Sequence, residues 1–440
     1  MTYPVAIRYL NSFTNYEKNT NYSYKKDLKL ARIRDFLALL GNPQDSLRII
    51  HIAGTKGKGS TCAFVAYILR ESGFSVGLYT SPHLNDFRER IRILWPHVSE
   101  LRMAQSFEGM ISKAGLSSLV KELKPLITKY NRNSKYGQLS FFEVYTAIAF
   151  LYFKRKKVDF VILETGLGGR LDATNAAKSL VCGITPISLE HVQKLGNTLG
   201  KIAVEKAGII KHPGAMVISA LQPQQVQTVI HQRCKKFQAK LYMVGREIKY
   251  AHSQRGGMIR GLKNDYKNLR LNLLGEHQLA NASLAVGIVE VLDCYGFNIK
   301  VQAIRKGIGR TVWPGRCEVI GKNPLIILDG AQNLASVDVL KKAIRDNFGY
   351  RKLILVLGIS ADKDIEGICK TLSPLADEII LTQAATPRAA DPQKLARYFK
   401  SKPYLTSSVK EARLLAESLA SKKDLILVTG SLFVVGEFQR

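Results

Sequence analysis

The sequence predicts an α/β protein of two unequal domains, each a largely parallel sheet wrapped by helices. Three observations lead there. A mostly apolar run at residues 49–53 ends in Gly54-Thr55-Lys56-Gly57-Lys58-Gly59-Ser60 and gives way to a helical pattern over 61–69. Further short apolar runs at 158–163 and 181–185 follow, with helical spacing between them. After the turn Trp313-Pro314-Gly315-Arg316 the strand–helix alternation starts again, at 325–328, 353–357, 378–381 and 425–428. Alternation of this kind builds parallel sheets with helices on both faces. The boundary is expected at that turn, giving domains of 1–310 and 311–440.

Bulk composition fits. A chain of 440 residues is too long for one core, and 46% hydrophobic with 23% charged residues marks a globular protein. No stretch approaches the roughly 20 apolar residues that span a bilayer. The first residues lack a charged-then-apolar leader pattern, so a cytoplasmic address is expected. Six cysteines lie far apart and form no CxxC pair, which argues against a zinc site or a disulfide framework. The net charge of +30 raises nucleic acid as a partner. The lysines and arginines are scattered and not interleaved with aromatics, so nucleic acid is disfavoured and a basic surface attracting anionic small molecules is preferred.

In chain order, residues 1–47 read as a lead-in whose helix over 28–40 is stopped by Gly41-Asn42-Pro43. The glycine-rich turn comes next. Strand, glycine-rich turn and helix together make a phosphate cradle, because glycines let main-chain N–H groups wrap an anion. Lys58 adds a charge for the terminal phosphates, and Ser60 a hydroxyl near a metal. The spacing departs from the common GxxxxGK[ST] form, since Ile52 stands where the first glycine would be and Gly59 separates Lys58 from Ser60. A short β-type run at 75–79 leads into Thr80-Ser81-Pro82-His83-Leu84, and then into a charged stretch, 85–92, that reads as a solvated loop. Its arginines, Arg88 and Arg90, are candidates for holding a carboxylate. Residues 98–136 look helical and polar. Residues 140–153 form a strongly apolar helix, with Ser140 as N-cap and Glu143 completing a capping box.

The run at 158–163 delivers Glu164 at its carboxyl end, followed by Thr165-Gly166-Leu167-Gly168-Gly169. Ligands in open α/β sheets bind beyond the carboxyl ends of strands, so an acid there beside a phosphate cradle is the expected magnesium contact. A strand over 181–185, His191 and a helix over 199–207 containing Lys206 come next. Residues 215–275 suggest strand–helix alternation and then a basic, irregular stretch. A helix opens at Gly275 and carries His277 and Asn281 four residues apart, on one face. In the second domain Asp329 stands at the end of the first strand.

With these stretches in hand, the chain resembles the folylpolyglutamate synthase and dihydrofolate synthase family of the Mur ligase superfamily. The likeness lies in HIAGTKGKGST, YTSPHLNDFRERI, ETGLGGRLDATN, EKAGII, GEHQLANA and WPGR, in family order over nearly the whole chain. It implies a P-loop, Mur-ligase-like N-terminal domain and a smaller Rossmann-like C-terminal domain, with ATP between them. By the resemblance, residues 54–60 hold the phosphates, while Asn281, Arg316 and Asp329 contact the nucleotide. Ser81, Glu164 and His191 would be magnesium ligands. Lys206 corresponds to a lysine often carbamylated in such ligases. One departure stands out: where the family has Asp-Gly-Ala-His-Asn-Pro, this chain has Asp329-Gly330-Ala331-Gln332-Asn333-Leu334. Gln332 can hydrogen-bond but cannot carry a positive charge. Lys56 stands where asparagine is more usual.

The expected activity is ATP-dependent ligation of L-glutamate to a folate-type carboxylate, dihydropteroate or tetrahydrofolate, by a monomer that uses Mg2+. Lys58 and Lys206 are the candidate catalytic residues. Arg88, Arg90, His277 and Gln332 are candidate substrate contacts. Left open by sequence are a nucleic-acid-dependent ATPase, a Mur-type ligase for another acceptor, and a non-catalytic binding protein.

Overall fold

The computed structural model describes residues 1–440 except 18, 20, 97–106 and 254–255. Seven strands form the first sheet: β1 (Ile49–Ala53), β2 (Val76–Tyr79), β3 (Ile91–Leu94), β4 (Phe160–Glu164), β5 (Val181–Ile184), β6 (Met216–Ser219) and β7 (Lys240–Met243). Their order is β3-β2-β4-β1-β5-β6-β7. Every pairing is parallel except β2 with β3. β1 therefore lies inside the sheet, between β4 and β5. All five of its residues are buried, which is why the segment reads as a continuous apolar run and not an alternating one.

Successive β1 side chains still part to opposite faces. Ile50 and Ile52 join a core with the helices Lys58–Glu71, Glu276–Glu290 and Val301–Arg310. Ile49 joins the other core, built with Tyr3–Asn11, Leu30–Leu39, Lys113–Asn133 and Phe141–Lys156. The last of these begins as expected. The Ser140 hydroxyl accepts from Glu143 N while the Glu143 carboxylate accepts from Ser140 N, a closed capping box. Glu143 also meets the Arg32 guanidinium at 2.9 Å, so the box is tied to the lead-in helix.

Four readings change. The lead-in contains an additional helix, Tyr3–Asn11, whose buried Ala6 and Leu10 join the core against the helices Lys113–Asn133 and Phe141–Lys156. The stretch 85–92 is no solvated loop. A short helical turn, Phe87–Arg90, runs into edge strand β3, and both Arg90 and Arg92 are 1% exposed. Of 98–136, only Lys113–Asn133 is helix among the described residues, and 98–106 fall outside them. The irregular stretch before 275 is a three-stranded antiparallel sheet of β8 (Lys249–Ser253), β9 (Gly256–Arg260) and β10 (Asp265–Leu269).

The second large sheet comprises β11 (Glu318–Lys322), β12 (Leu325–Leu328), β13 (Leu353–Leu357), β14 (Glu378–Leu381), β15 (Tyr404–Leu405) and β16 (Leu425–Thr429), in the order β11-β12-β16-β13-β14-β15. Only β11 with β12 is antiparallel. Separate apolar cores cover its two faces. β11 and β15 are edge strands with partly exposed residues, and their weak apolar pattern is why the sequence hides them. The two sheet systems touch across a cleft. Lys342 pairs with Glu276, Arg388 Nη1 donates to the Glu17 carbonyl at 3.2 Å, and Asn85 Nδ2 donates to Gln439 Oε1 at 3.1 Å.

Candidate active site

The glycine-rich turn leaves β1 between the carboxyl ends of β4 and β5. Its first half is fastened down. Thr55 N and Lys56 N both donate to the Pro186 carbonyl, at 3.0 and 3.2 Å, and Thr55 Oγ1 donates to the Ser188 carbonyl. Gly54 is required here, because a β-carbon would fall 1.8 Å from Thr185 Oγ1. The second half is free to hold an anion. Gly57 (φ +82°) precedes the helix Lys58–Glu71, which has no side-chain cap. The first-turn amides of Lys58, Gly59 and Ser60 thus lack acceptors within the helix and carry the positive end of its dipole. Within this turn the Thr55 and Lys56 amides are committed to Pro186, whereas those from Lys58 to Ser60 find no acceptor inside the helix.

Charged groups surround this turn. Glu164, at the end of β4, is 5% exposed, and its Oε2 accepts from Ser81 N at 3.1 Å. Burial raises its pKa, while the Lys58 charge and the Ser81 N–H oppose the rise. Lys56 does not face a phosphate position alone, since its Nζ is 2.7 Å from Glu190 Oε1. Burial disfavours the Glu190 carboxylate, but Lys56 and Lys58 outweigh that and hold its pKa at about 2. His191 follows in a left-handed conformation (φ +51°). Desolvation, with Lys363, Lys206 and Lys58 nearby, lowers its pKa to about 4, so the imidazole is neutral at pH 7.

Lys206 ends the helix Leu199–Lys206 and is 3% exposed, its Nζ donating to the Gly54 carbonyl. Burial, then the charges of Lys58 and Lys56, bring its pKa down to about 7. A sizeable share of this amine is therefore uncharged at neutral pH. Lys363, whose charge is felt at His191, belongs to the second sheet system and was not singled out from sequence; a lysine between two aspartates offers no local signal.

Asn281 lies over the turn from the helix Glu276–Glu290, its Nδ2 donating to Gln278 Oε1 at 3.0 Å. From the far side of the cleft come Arg316 and Asp329. Arg316 follows the Trp313-Pro314-Gly315 turn, and its charge bears on Glu164, Lys56 and His277. The Asp329 carboxylate accepts from Cys317 N and Ala331 N, both at 2.8 Å. Burial raises the Asp329 pKa against the opposing Arg316 charge. Gln332 N donates to Ser336 Oγ just before the Asn333-capped helix Leu334–Asn347. His277 is exposed and lies near Arg316, and partial loss of solvent, then that charge, lowers its pKa.

The two candidate arginines behave differently from free carboxylate binders. Arg88 is paired with Asp86 at 3.0 Å. Arg90 is clamped by the Glu17 carboxylate at 2.6 Å and by His83 Nδ1 at 2.8 Å. A network that sequence reasoning missed supports the loop after Glu164. The Asp172 carboxylate accepts from Gly166 N and Leu167 N at 2.9 Å and from the Thr174 hydroxyl, and Thr174 Oγ1 meets His51 Nε2 at 2.8 Å. Thr174 has one proton and gives it to Asp172, so His51 carries its own on Nε2. Among the described residues no three His, Cys, Asp or Glu side chains converge as a metal cage. No helix there is long and apolar enough to cross a membrane.

Known proteins resemble this chain over nearly its whole length. The Mur ligase middle domain model matches residues 110–289, and that of the Mur ligase glutamate ligase domain matches 315–432. The chain is 33% identical to the dihydrofolate synthase/folylpolyglutamate synthase of Bacillus subtilis, covering 93% of this chain and 94% of that one. It is 30% identical to the folylpolyglutamate synthase of Lacticaseibacillus casei, covering 99% and 97%. Among solved structures, Mycobacterium tuberculosis folylpolyglutamate synthase complexed with ADP superposes with a TM-score of 0.86 at 31% identity, covering 99% of this chain and 96% of that one. E. coli FolC in complex with DHPP and ADP gives 0.83 at 28% identity, with the same coverage. The chain belongs to the folylpolyglutamate synthase/dihydrofolate synthase family of Mur ligases, a family of ATP-dependent ligases.

Proposed function

We propose that the protein joins L-glutamate to a folate-type carboxylate, dihydropteroate or a reduced folate, at the expense of ATP. One observation supports this most directly. An uncapped helix N-terminus bearing Lys58 sits beside buried Glu164 and faces Arg316 and Asp329 across the cleft. In this reading residues 1–310 are the ATP-binding domain and 311–440 the glutamate ligase domain, in a cytoplasmic monomer.

The acceptor's carboxylate oxygen attacks the γ-phosphorus of ATP, forming an acyl phosphate and releasing ADP. The amine of glutamate then attacks the acyl carbon, the C–O bond to phosphate breaks, and the amide and inorganic phosphate leave. The first step brings two anions together. Lys58, the amides from Gly57 to Ser60, and Arg316 offset that repulsion. Asn281 orients the nucleotide over the turn. Apposition of the two sheet systems keeps water from the acyl phosphate.

Magnesium fits the donors present. The Ser81 hydroxyl and the Glu164 carboxylate are hard oxygen ligands, and Glu164 Oε1 meets no protein donor among the described residues. Neutral His191 stands as the third candidate, and the ion would add positive charge at the phosphate oxygens. Lys206, uncharged in part, can take up CO2 as a carbamate and so become an anion facing the cation cluster.

ADP release measured with MgATP and glutamate, comparing dihydropteroate with tetrahydrofolate as acceptor, tests the reading. Glutamate-dependent ADP release with at least one acceptor is expected. None with either would overturn it.

A further inference from the structure

Arg92 has no part in the chemistry above, yet it is one of the most deeply buried charged side chains, at 1% exposure in β3. Its guanidinium lies 5.0 Å from the Trp313 ring centroid and 4.9 Å from that of Phe107, and the two rings meet edge to face at 5.4 Å. Its Nε and Nη2 are buried without a hydrogen-bond partner among the described residues. An incompletely paired buried cation weakens a fold, and an apolar side chain of similar volume commonly serves a core as well or better. Arg92 therefore calls for a role other than stability.

Trp313 connects it to one. The indole edge presses on the first turn of the helix Lys58–Glu71, where a β-carbon at Gly59 would come within 2.8 Å of Trp313 Cζ2. Three residues further on, Arg316 places its charge beside Glu164 and Asp329. Trp313 is thus wedged between Arg92 and the phosphate-binding turn, and it begins the segment that carries Arg316 into the cleft. A flat guanidinium can cover an indole face in a way that an ammonium cannot.

We propose that Arg92 is a positioning residue for the nucleotide, acting through Trp313 to fix the first helical turn and the approach of Arg316. The proposal rests on the ligase reading above. It makes Arg92 and Trp313 one functional unit, so their losses should not multiply.

The test is steady-state kinetics on the full chain for Arg92→Met, Arg92→Lys, Trp313→Leu and the double variant Arg92→Met/Trp313→Leu. Each single variant is expected to raise the KM for ATP about tenfold or more and leave that for glutamate within about twofold, with the double variant close to Trp313→Leu alone. Arg92→Lys, which keeps the charge but not the planar stack, should behave like Arg92→Met and replaces it in the cycle if the methionine variant does not fold. An unchanged KM for ATP, an equal rise for glutamate, or losses that multiply in the double variant would each overturn the proposal. Calorimetric titration of the unaltered chain with MgADP separates the two levels. Uptake of MgADP with variants of normal KM sinks only the Arg92 role, whereas no uptake sinks the ligase reading and the proposal together.

Discussion

Gly57 and Asn281 face one another so closely that a β-carbon on the glycine would lie 2.3 Å from Asn281 Oδ1. Gly57 also has φ +82°, a region that L side chains rarely adopt. Gly57→Ala therefore meets strain and collision together. A stability loss of about 1–3 kcal/mol is expected from the backbone alone. Pushing Asn281 aside should also raise the KM for ATP. Trimming the asparagine in Gly57→Ala/Asn281→Ala removes the collision but not the strain, so thermal denaturation of the double variant should remain below wild type.

Lys58→Ala removes the cationic side chain at the first position of the helix Lys58–Glu71, whose charge bears on Glu164 and Glu190. Turnover should fall at least about a hundredfold, the usual cost of losing such an electrostatic stabiliser. Circular dichroism should stay native, since Lys58 is only partly buried. Near-normal turnover in a folded variant would remove Lys58 from the mechanism.

Glu164→Gln keeps the shape and the acceptor for Ser81 N but removes the charge. The magnesium concentration for half-maximal rate should move upward by about tenfold or more, as expected when a hard anionic ligand is lost. A titration curve that superposes on wild type would exclude Glu164 as a ligand.

Lys206 gives a pH-dependent prediction. Its folded pKa of about 7 lies below the unfolded value, so the folded chain binds fewer protons than the unfolded chain from about pH 7 to 10.5. Stability contributed by this group must then rise with pH across that window and be lowest below pH 7. Carbamate formation needs the neutral amine and should follow the same direction. With 13C-labelled CO2, a carbamate resonance that grows between pH 6 and 8 and vanishes in Lys206→Ala is the expected result.

Thr174→Val cuts the only hydroxyl between His51 and Asp172, both fully buried in their hydrogen-bonding ends. Two buried polar groups lose a partner. A destabilisation of about 2–4 kcal/mol is expected from chemical denaturation. A change below about 0.5 kcal/mol would mean that the network is not maintained in solution.

What the sequence reveals here follows from how local each signal is. The cradle at 54–60, the acid ending β4 and the Ser140 cap are each written within a few consecutive residues, and the structure has strand, turn, helix and capping box at those positions. Arg90 and Arg92 look like surface charges because the groups they meet lie far away in the chain. The carboxylate that pairs with Arg90, Glu17, is 73 residues away, and Trp313, whose ring covers Arg92 without neutralising it, is more distant still. Asp172 lies five and six residues beyond Leu167 and Gly166, and its grip on their amides becomes visible only once the loop closes. β8 is largely exposed, and β9 and β10 bury only Gly257, Ile259, Tyr266 and Leu269 among them, so the buried face is carried by too few side chains to stand out in the sequence.

The tie from Arg388 to the Glu17 carbonyl has a consequence for how the two halves part. Its acceptor is main chain, so drift in the side chain at position 17 leaves the bond available while releasing Arg90. Whatever opens the cleft must therefore drag the amino-terminal strap along or break with it at Arg388. The segment around Glu17 is thereby a mechanical link between the two sheet systems.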